Sequence, residues 1–142
     1  DSVLSVYQPC YLETDRSNPE EVFVEFLEKH PEKIAWWWKN GDEHMQENFG
    51  IAKPDGSSFQ PDFIIQYQDG KIGIYDTKSS GFQEEDTKIK SETLQQYISE
   101  ENAKGKNLCG GIVIVDGQNL KINSKPKYRT FKNNPEDWDF FE

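Results

Sequence analysis

Cysteine, histidine and long apolar runs are all scarce in this chain. Its 142 residues include two cysteines, Cys10 and Cys109, and two histidines. Two cysteines so far apart in sequence form neither a disulfide framework nor a zinc signature, and they suit a reducing cytoplasm. Two histidines argue against a histidine-rich metal centre. No apolar run approaches the roughly 18 residues needed to span a bilayer, so we expect no membrane partner. The cysteine usage leads us to expect a cytoplasmic location.

Acidic residues outnumber basic ones by 26 to 16, and the formal net charge is −10. Lysine and arginine dominate contacts to nucleic-acid phosphates, so this balance argues against a free-standing DNA-binding protein. It argues less against a module whose nucleic acid is delivered by other domains. Residues 121–132 are the exception, with five basic residues and no acid. This stretch is either a footprint for the DNA backbone, with Lys125, Lys127 and Arg129 as contacts, or a solvated connection opposite an acidic face.

The length of the chain suits one domain with its own hydrophobic core. The sequence begins with Asp rather than Met, so we expect residues 1–142 to be a single domain cut from a larger multidomain protein. We place the core at about residues 17–123 and a C-terminal extension at residues 124–142. The acids and aromatic residues at the end of that extension either dock on another domain of the parent protein or pack on the domain's own sheet.

The order of helix and strand signals, αβββαβ, predicts an α/β domain with a mixed central sheet flanked by helices. Asn18 is a good N-cap, Pro19 fits the first helical position, and Glu21 follows as in a capping box, so a helix starts here. It ends near His30, and a second helix is expected at 88–103. Strands are predicted at 4–11, 34–39, 49–53, 59–67, 71–78, 111–115 and 120–123, and those at 59–67 and 71–78 form a hairpin.

Two acids and a lysine lie near the ends of the strands of this hairpin. Asp62 follows Pro61, and Asp76, Thr77 and Lys78 end the second strand. Side chains alternate between the two faces of a strand, so Asp76 and Lys78 point the same way. Carboxylates hold a hard cation, and a nearby ammonium steadies a nucleophile or a developing negative charge. This combination is what metal-assisted hydrolysis of a phosphodiester needs.

These motifs resemble the PD-(D/E)XK nuclease superfamily in their order: a helix with a glutamate, Pro-Asp, Asp-x-Lys on the next strand, then another helix. The resemblance is closer to the C-terminal nuclease domain of type III restriction enzyme subunits and related DEAD/DEAH-type helicases. It covers about residues 17–100. The segments that carry it are SNPEEVFVEFLE, WWWKNG, ENFGI, FQPDFIIQYQDGKIGIYDTKS and the LQQYI helix.

The resemblance implies a restriction-endonuclease-like core, a divalent cation (Mg²⁺ or Mn²⁺) and hydrolysis of DNA phosphodiester bonds. By position, Asp62 and Asp76 resemble the metal-binding acids, Thr77 would offer its backbone carbonyl to the metal, and Lys78 resembles the catalytic lysine. Glu20 is similar to the family's helix acid, as a carboxylate beside the metal or behind its ligands. In a simpler interpretation Glu20 only complements the positive end of the helix dipole.

The same resemblance implies partners outside this chain. An ATP-driven motor elsewhere in the parent protein would engage the DNA and supply most of the specificity. A methyltransferase subunit is a further expected partner. The chain itself has no Walker-type loop, so we do not expect it to hydrolyse ATP.

Other candidate DNA contacts each have an ordinary alternative. Lys39 approaches phosphate or is a solvated strand-end lysine, and Ser79 contacts phosphate or belongs to an ordinary polar loop. Gln95 resembles a helix glutamine that supports the site in some nucleases of the superfamily, although its spacing does not match that motif cleanly. The three tryptophans at 36–38 either stack on bases or divide between the core and a sheet edge.

Three functions remain in view. A metal-dependent endonuclease domain is the one we expect, because Asp62, Asp76 and Lys78 occur together and in the right order. Taken singly, Pro-Asp can merely start a turn, and Asp76 with Lys78 can be an ion pair of little value. The alternative is a catalytically silent module of the same fold that holds DNA or a partner subunit, which the acidic balance favours. A nuclease acting on RNA or on DNA ends is the third.

Overall fold

The structure is a computed structural model that describes residues 18–40, 49–79, 84–117 and 119–142. Within these ranges the chain is a mixed α/β fold with two α-helices and a six-stranded mixed sheet, so the predicted α/β class is confirmed. The strand predicted at 4–11 and Cys10 lie outside the described residues. None of the helices in the described ranges combines the length and apolarity required to cross a membrane.

Eight strands are described along these ranges. They are Ile34–Lys39 (β1), Ile51–Ala52 (β2), Ser58–Phe59 (β3), Phe63–Tyr67 (β4), Ile72–Lys78 (β5), Leu108–Asp116 (β6), Asn119–Asn123 (β7) and Asp139–Phe140 (β8). The central sheet has the order β1-β4-β5-β6-β7-β8, and β2 pairs with β3 in a separate small hairpin. Only β5 and β6 are parallel among these described pairs, and every other pair is antiparallel. The site residues of β5 therefore lie in the interior of a mixed sheet.

The predicted strand at 59–67 is wrong as a single element, because it divides into β3 and β4. Residues 60–62 make the break, and Pro61 stands at its centre. A proline has no backbone N–H to donate to a strand ladder, so the chain can leave the β2–β3 hairpin here and enter the central sheet. The predicted hairpin of the following strands is confirmed as β4 and β5.

The first helix, Pro19–Glu28 (α1), starts where the sequence predicted. Asn18 Oδ1 accepts the backbone N–H of Glu20 at 3.0 Å and that of Glu21 at 3.4 Å. Two of the N–H groups that a helix start leaves without a helical partner are satisfied in this way. The helix ends two residues before the predicted position at His30.

The second helix, Glu84–Ala103 (α2), begins four residues before the predicted start. Its first turns carry acid–lysine pairs four residues apart, Lys90 with Asp86 and Lys88 with Glu92. Such pairs stabilise a helix surface, but they leave no apolar stripe for a sequence pattern to detect. The predicted helix start at residue 88 was therefore too late.

The sheet packs against α1 on one face and α2 on the other. On the α1 face, the Phe23 ring lies 4.8 Å from that of Phe63 and 5.6 Å from that of Tyr75. On the α2 face, Ile74 clusters with Leu94 and with the β2–β3 hairpin. Adjacent residues of β5 thus enter opposite cores, as the alternation of a strand requires. Asp76 and Lys78 share the α2 face with Ile74, and Thr77 shares the α1 face with Tyr75.

Residues 124–142 pack on both faces of this sheet. Tyr128 and Trp138 cluster with residues of β6 on the α2 face. Phe141 packs on the α1 face, where its ring lies 5.1 Å from that of Phe23. Of the two arrangements expected for this end of the chain, packing on its own sheet is the one observed.

Gly110 of β6 pairs with Ile74 of β5 and lies directly against its backbone. Its φ is +148°, and a Cβ atom built there would lie 1.8 Å from the carbonyl oxygen of Ile74. Cβ atoms do not come within 3.0 Å of such a neighbour. Only glycine therefore allows the two strands to pair at this register.

Gly110→Ala should destabilise the domain by about 3 kcal/mol or more, because the added methyl must push β5 and β6 apart. Gly105→Ala is the matched control, since Gly105 has a φ of +98° and no atom within 4 Å of an added Cβ. Strain of positive φ alone costs about 1 kcal/mol. Urea unfolding of the two variants measures the difference, and equal losses would contradict the close approach.

Candidate functional site

Asp62 and Asp76 are brought together by the antiparallel pairing of β4 with β5. Phe63 pairs with Tyr75, so the residue before Phe63 lies beside the residue after Tyr75. The Asp62 backbone N–H donates to Asp76 Oδ1 at 3.2 Å. Lys78 Nζ lies 3.2 Å from Asp76 Oδ2, as expected for two residues on one face of β5. The two acids and the lysine singled out in the sequence are therefore neighbours.

The Asp62 side chain is held by Thr77. Asp62 Oδ2 accepts the Thr77 backbone N–H at 2.9 Å and the Thr77 hydroxyl at 2.8 Å. Both donors reach the same carboxylate oxygen, so Thr77 holds the Asp62 carboxylate through Oδ2. The role predicted for Thr77 is to offer its backbone carbonyl oxygen to the metal, and that role stays a prediction.

Asp76 is a nearly buried carboxyl group, with 2% of its surface exposed. Burial raises its pKa to about 7, together with the Asp62 charge, while the Lys78 ammonium opposes the rise. Burial is the largest influence on the pKa of Lys78 and lowers it, but the combined interactions with Asp76 and other neighbours outweigh it, so the net shift is upward. Asp76 Oδ2 is in ionic contact with Lys78 but receives no well-directed hydrogen bond from the described residues. The carboxylate is thus only partly compensated.

Asn40 fixes the segment that carries Asp62. Its side chain is 1% exposed, and Nδ2 donates to the carbonyl oxygens of Phe49 at 2.7 Å and Pro61 at 2.9 Å. Its Oδ1 accepts the Phe49 N–H at 2.8 Å. The Asn40 backbone N–H donates to the Asp62 carbonyl oxygen at 2.7 Å. One buried amide therefore ties the end of β1, the segment before β2 and the Pro61–Asp62 turn together.

The helix acid and the strand-end lysine meet on the α1 face. Glu20 Oε1 lies 3.1 Å from Lys39 Nζ, and both side chains are about one-third exposed. Lys39 shares a face with Trp37, which packs in the α1-side core. Asp76 and Lys78 point to the opposite face, so Glu20 and Asp76 approach the end of the sheet from different sides. The metal-adjacent role of Glu20 and the DNA contact of Lys39 stay predictions.

The remaining candidate contacts have defined positions. Ser79 is exposed just after β5, and Gln95 donates through Nε2 to the Gly110 carbonyl oxygen at 3.0 Å. Arg129 donates to both Asp137 carboxylate oxygens, at 2.6 and 2.8 Å. Lys125 and Lys127 are exposed on the same segment. The hydrogen bonds described for Gln95 and Arg129 are to groups other than the two acids, and the contacts of all five residues to DNA stay predictions.

The three tryptophans divide between the two faces of β1. Trp37 is buried among the α1-side aromatics and donates through Nε1 to Glu28 Oε2 at 3.1 Å. Trp36 is half-buried on the other face, and its Nε1 donates to Gln66 Oε1 at 3.0 Å. Division between the core and a sheet edge, one of the two arrangements expected for them, describes Trp36 and Trp37.

The first turns of α2 belong to this neighbourhood, although the sequence did not point to them. Helix α2 connects the end of β5 to the parallel strand β6, so its start lies over the carboxyl end of β5. Lys90 Nζ lies 3.1 Å from Asp86 Oδ2 and 5.7 Å from the centre of the Phe59 ring. The four-residue spacing of Asp86 and Lys90 was a usable signal. It was missed because the predicted helix began after Asp86.

The donor set fits a hard cation that keeps several waters. No group of three or more His, Cys, Asp or Glu side chains able to hold a metal occurs among residues 18–40, 49–79, 84–117 and 119–142. Mg²⁺ needs only one or two carboxylates besides water and phosphate, whereas structural zinc needs four protein ligands. Asp62 Oδ1 and the under-compensated Asp76 Oδ2 are the oxygens that could meet this smaller requirement.

Comparison with known proteins adds no assignment. No family model matches the chain, and no curated protein or solved structure matches it significantly. The described residues form a mixed α/β domain with two α-helices and a six-stranded sheet.

Asn40→Ala should destabilise the domain by roughly 3 kcal/mol, because three short hydrogen bonds are lost and buried backbone groups are left without partners. Asn102→Ala is the control, since Asn102 also bonds backbone through its side chain but is exposed. Chemical denaturation compares the two. A loss at Asn40 no larger than that at Asn102 would show that the buried amide does not anchor the Pro61–Asp62 turn.

The raised pKa of Asp76 makes stability fall as pH rises. Between the ordinary value of 3.8 and about 7, the folded state keeps a proton that the unfolded state releases, so the free energy of unfolding decreases across this window. The contribution lost is roughly 4 kcal/mol at most.

Asp76→Asn removes the titrating group, so its unfolding free energy should depend less on pH between 4 and 8 and should exceed that of the wild type at pH 8. Asp139→Asn, at an exposed carboxyl on β8, should follow the wild-type profile. Thermal or urea unfolding across this range provides the test, and identical profiles for wild type and Asp76→Asn would contradict it.

Proposed function

We propose that this chain is a metal-dependent endonuclease domain with a restriction-endonuclease-like core, which hydrolyses DNA phosphodiester bonds as part of a type III restriction or helicase-type enzyme. The observation that carries the proposal is the contact of Lys78 Nζ with the buried Asp76 Oδ2 at 3.2 Å, beside Asp62. Burying a carboxylate next to a second acid is costly for stability. A bound cation would offset the repulsion between the two acids, and the lysine would face the phosphate.

Each residue would have a separate task. Asp62 and Asp76 would hold the cation, and Thr77 would keep the Asp62 carboxylate in position through its N–H and hydroxyl. A bound Mg²⁺ would polarise the phosphate and lower the pKa of the attacking water. Lys78, whose side chain is 21% exposed, would donate to that water or to a phosphate oxygen as negative charge develops.

A catalytically silent module that holds DNA or a partner subunit is the second candidate. The observation that favours it is the ion pair of Glu20 with Lys39, which engages the helix acid on the α1 face rather than with Asp76. The net charge of −10 points the same way. The two functions differ in what they predict for Lys78, because a module without chemistry does not need an ammonium beside its buried acid.

Plasmid DNA incubated with the protein and Mn²⁺ should be cleaved, and Asp62→Ala, Asp76→Ala and Lys78→Ala should each lower the rate at least 100-fold. Lys104→Gln and Asp139→Asn remove the same charges at exposed positions elsewhere and should leave the rate unchanged. Calorimetry separates the roles, since Mn²⁺ binding should be lost in the two Asp variants and kept in Lys78→Ala.

Three results would distinguish the candidates. Cleavage that survives in both Asp76→Ala and Lys78→Ala would place the chemistry elsewhere. Mn²⁺ binding without cleavage, in the domain and in the intact parent protein supplied with ATP, would favour the silent module. Absence of Mn²⁺ binding in the wild type above pH 7, where Asp76 is ionised, would remove the metal site.

A further inference from the structure

Helix α2 carries two lysine–acid ion pairs with the same four-residue spacing, and the two lysines differ in exposure. Lys88 pairs with Glu92, and Lys90 pairs with Asp86, each across one turn. The Lys88 side chain is 52% exposed, whereas that of Lys90 is 23% exposed. Lys90 leans over the Phe59 ring of the β2–β3 hairpin. Of these two lysines, Lys90 is therefore the one turned towards the body of the protein.

The position of Lys90 places it beside the acidic site. Phe59, which it overlies, packs in the α2-side cluster with Ile74. Asp76 is the next residue of β5 on that face, and its Oδ2 contacts Lys78. Burial and the Asp62 charge raise the pKa of Asp76, and the Lys90 ammonium is near enough to act against them together with Lys78.

The charges of three lysines act on Asp86. The hydrogen bond from Lys90 is the main cause that lowers its pKa, and the charges of Lys90, Lys53 and Lys78 add to it. These lysines come from α2, the β2–β3 hairpin and β5. Asp86 is half exposed. Because an exposed ion pair contributes little free energy, its carboxylate can leave Lys90 at a small cost. A phosphate could then take the place of that carboxylate.

We propose that Lys90 is a second phosphate-binding lysine of the acidic site, held by Asp86 until a phosphate of the DNA backbone replaces that carboxylate. The inference rests on the proposed function. It adds the direction from which the DNA backbone would approach the site, which is across α2 and the β2–β3 hairpin. Lys78 contacts the buried acid from β5, while Lys90 reaches the same face of the sheet from α2. A backbone phosphate next to the scissile one is the group that would meet it.

The test measures binding of a fluorescently labelled DNA duplex at several salt concentrations, in EDTA so that no DNA is cleaved. Lys90→Gln should reduce the magnitude of the log–log salt slope by about 0.9, the value for one phosphate contact, and weaken binding several-fold at low salt. Asp86→Asn should act in the opposite direction and tighten binding a few-fold. Lys88→Gln removes the same charge from the same helix and should leave the slope unchanged.

Metal binding distinguishes a contact to DNA from a structural effect. Lys90→Gln should retain Mn²⁺ binding by calorimetry, because the two carboxylates are untouched. Loss of Mn²⁺ binding in that variant would overturn the proposal, and so would a salt slope equal to that of Lys88→Gln. If the wild type cleaves DNA but Lys90→Gln binds DNA as tightly as the wild type does, the role proposed for Lys90 is wrong and the proposed nuclease function still stands. If the wild type binds no duplex, Lys90 has no phosphate to hold and the inference fails, whatever the Mn²⁺ cleavage assay shows.

Discussion

The buried carboxyl group of Asp76 is the constraint around which this end of the fold is arranged. It stands in an interior strand, between β4 and β6, so the protein rather than water must satisfy it. One oxygen accepts the Asp62 N–H, and the other faces Lys78. A buried charge is tolerated only with partners, and the partners of Asp76 lie on β5 itself and on the segment before β4. A shift of β5 would therefore disturb these contacts and the site with them.

Residues far from Asp76 in the sequence hold its surroundings in place through direct contacts. Gly110 has no side chain, so β6 can lie directly against the backbone of β5. The side-chain amide of Asn40 ties the Pro61–Asp62 turn to the end of β1. Phe141 completes the aromatic core beneath Tyr75, the residue before Asp76. A segment near the end of the chain thus supports the strand that carries the site, which a division at residue 123 would not suggest.

Local signals in the sequence predicted much of this arrangement, and the two failures have separate causes. Capping residues identified α1, and strand alternation placed Asp76 and Lys78 on one face, since both depend on neighbouring residues alone. The early start of α2 was missed because its first turns are stabilised by polar pairs. The opposite faces of Glu20 and Asp76 could not be predicted from their spacing, since that relation depends on how α1 packs across the sheet.

The strong negative charge and a DNA substrate are compatible only if positive charge is concentrated where phosphate binds. The basic stretch at 121–132 is partly engaged in folding: Lys121 Nζ lies 3.5 Å from the centre of the Phe140 ring, and Arg129 is paired with Asp137. Its positive charge is therefore smaller in effect than its composition suggests. The lysines on the α2 face, Lys78 and Lys90, adjoin the acids instead. A site of this kind would bind a phosphate locally but hold a long duplex weakly, so the proposed function requires most of the grip on DNA to come from other parts of the parent enzyme.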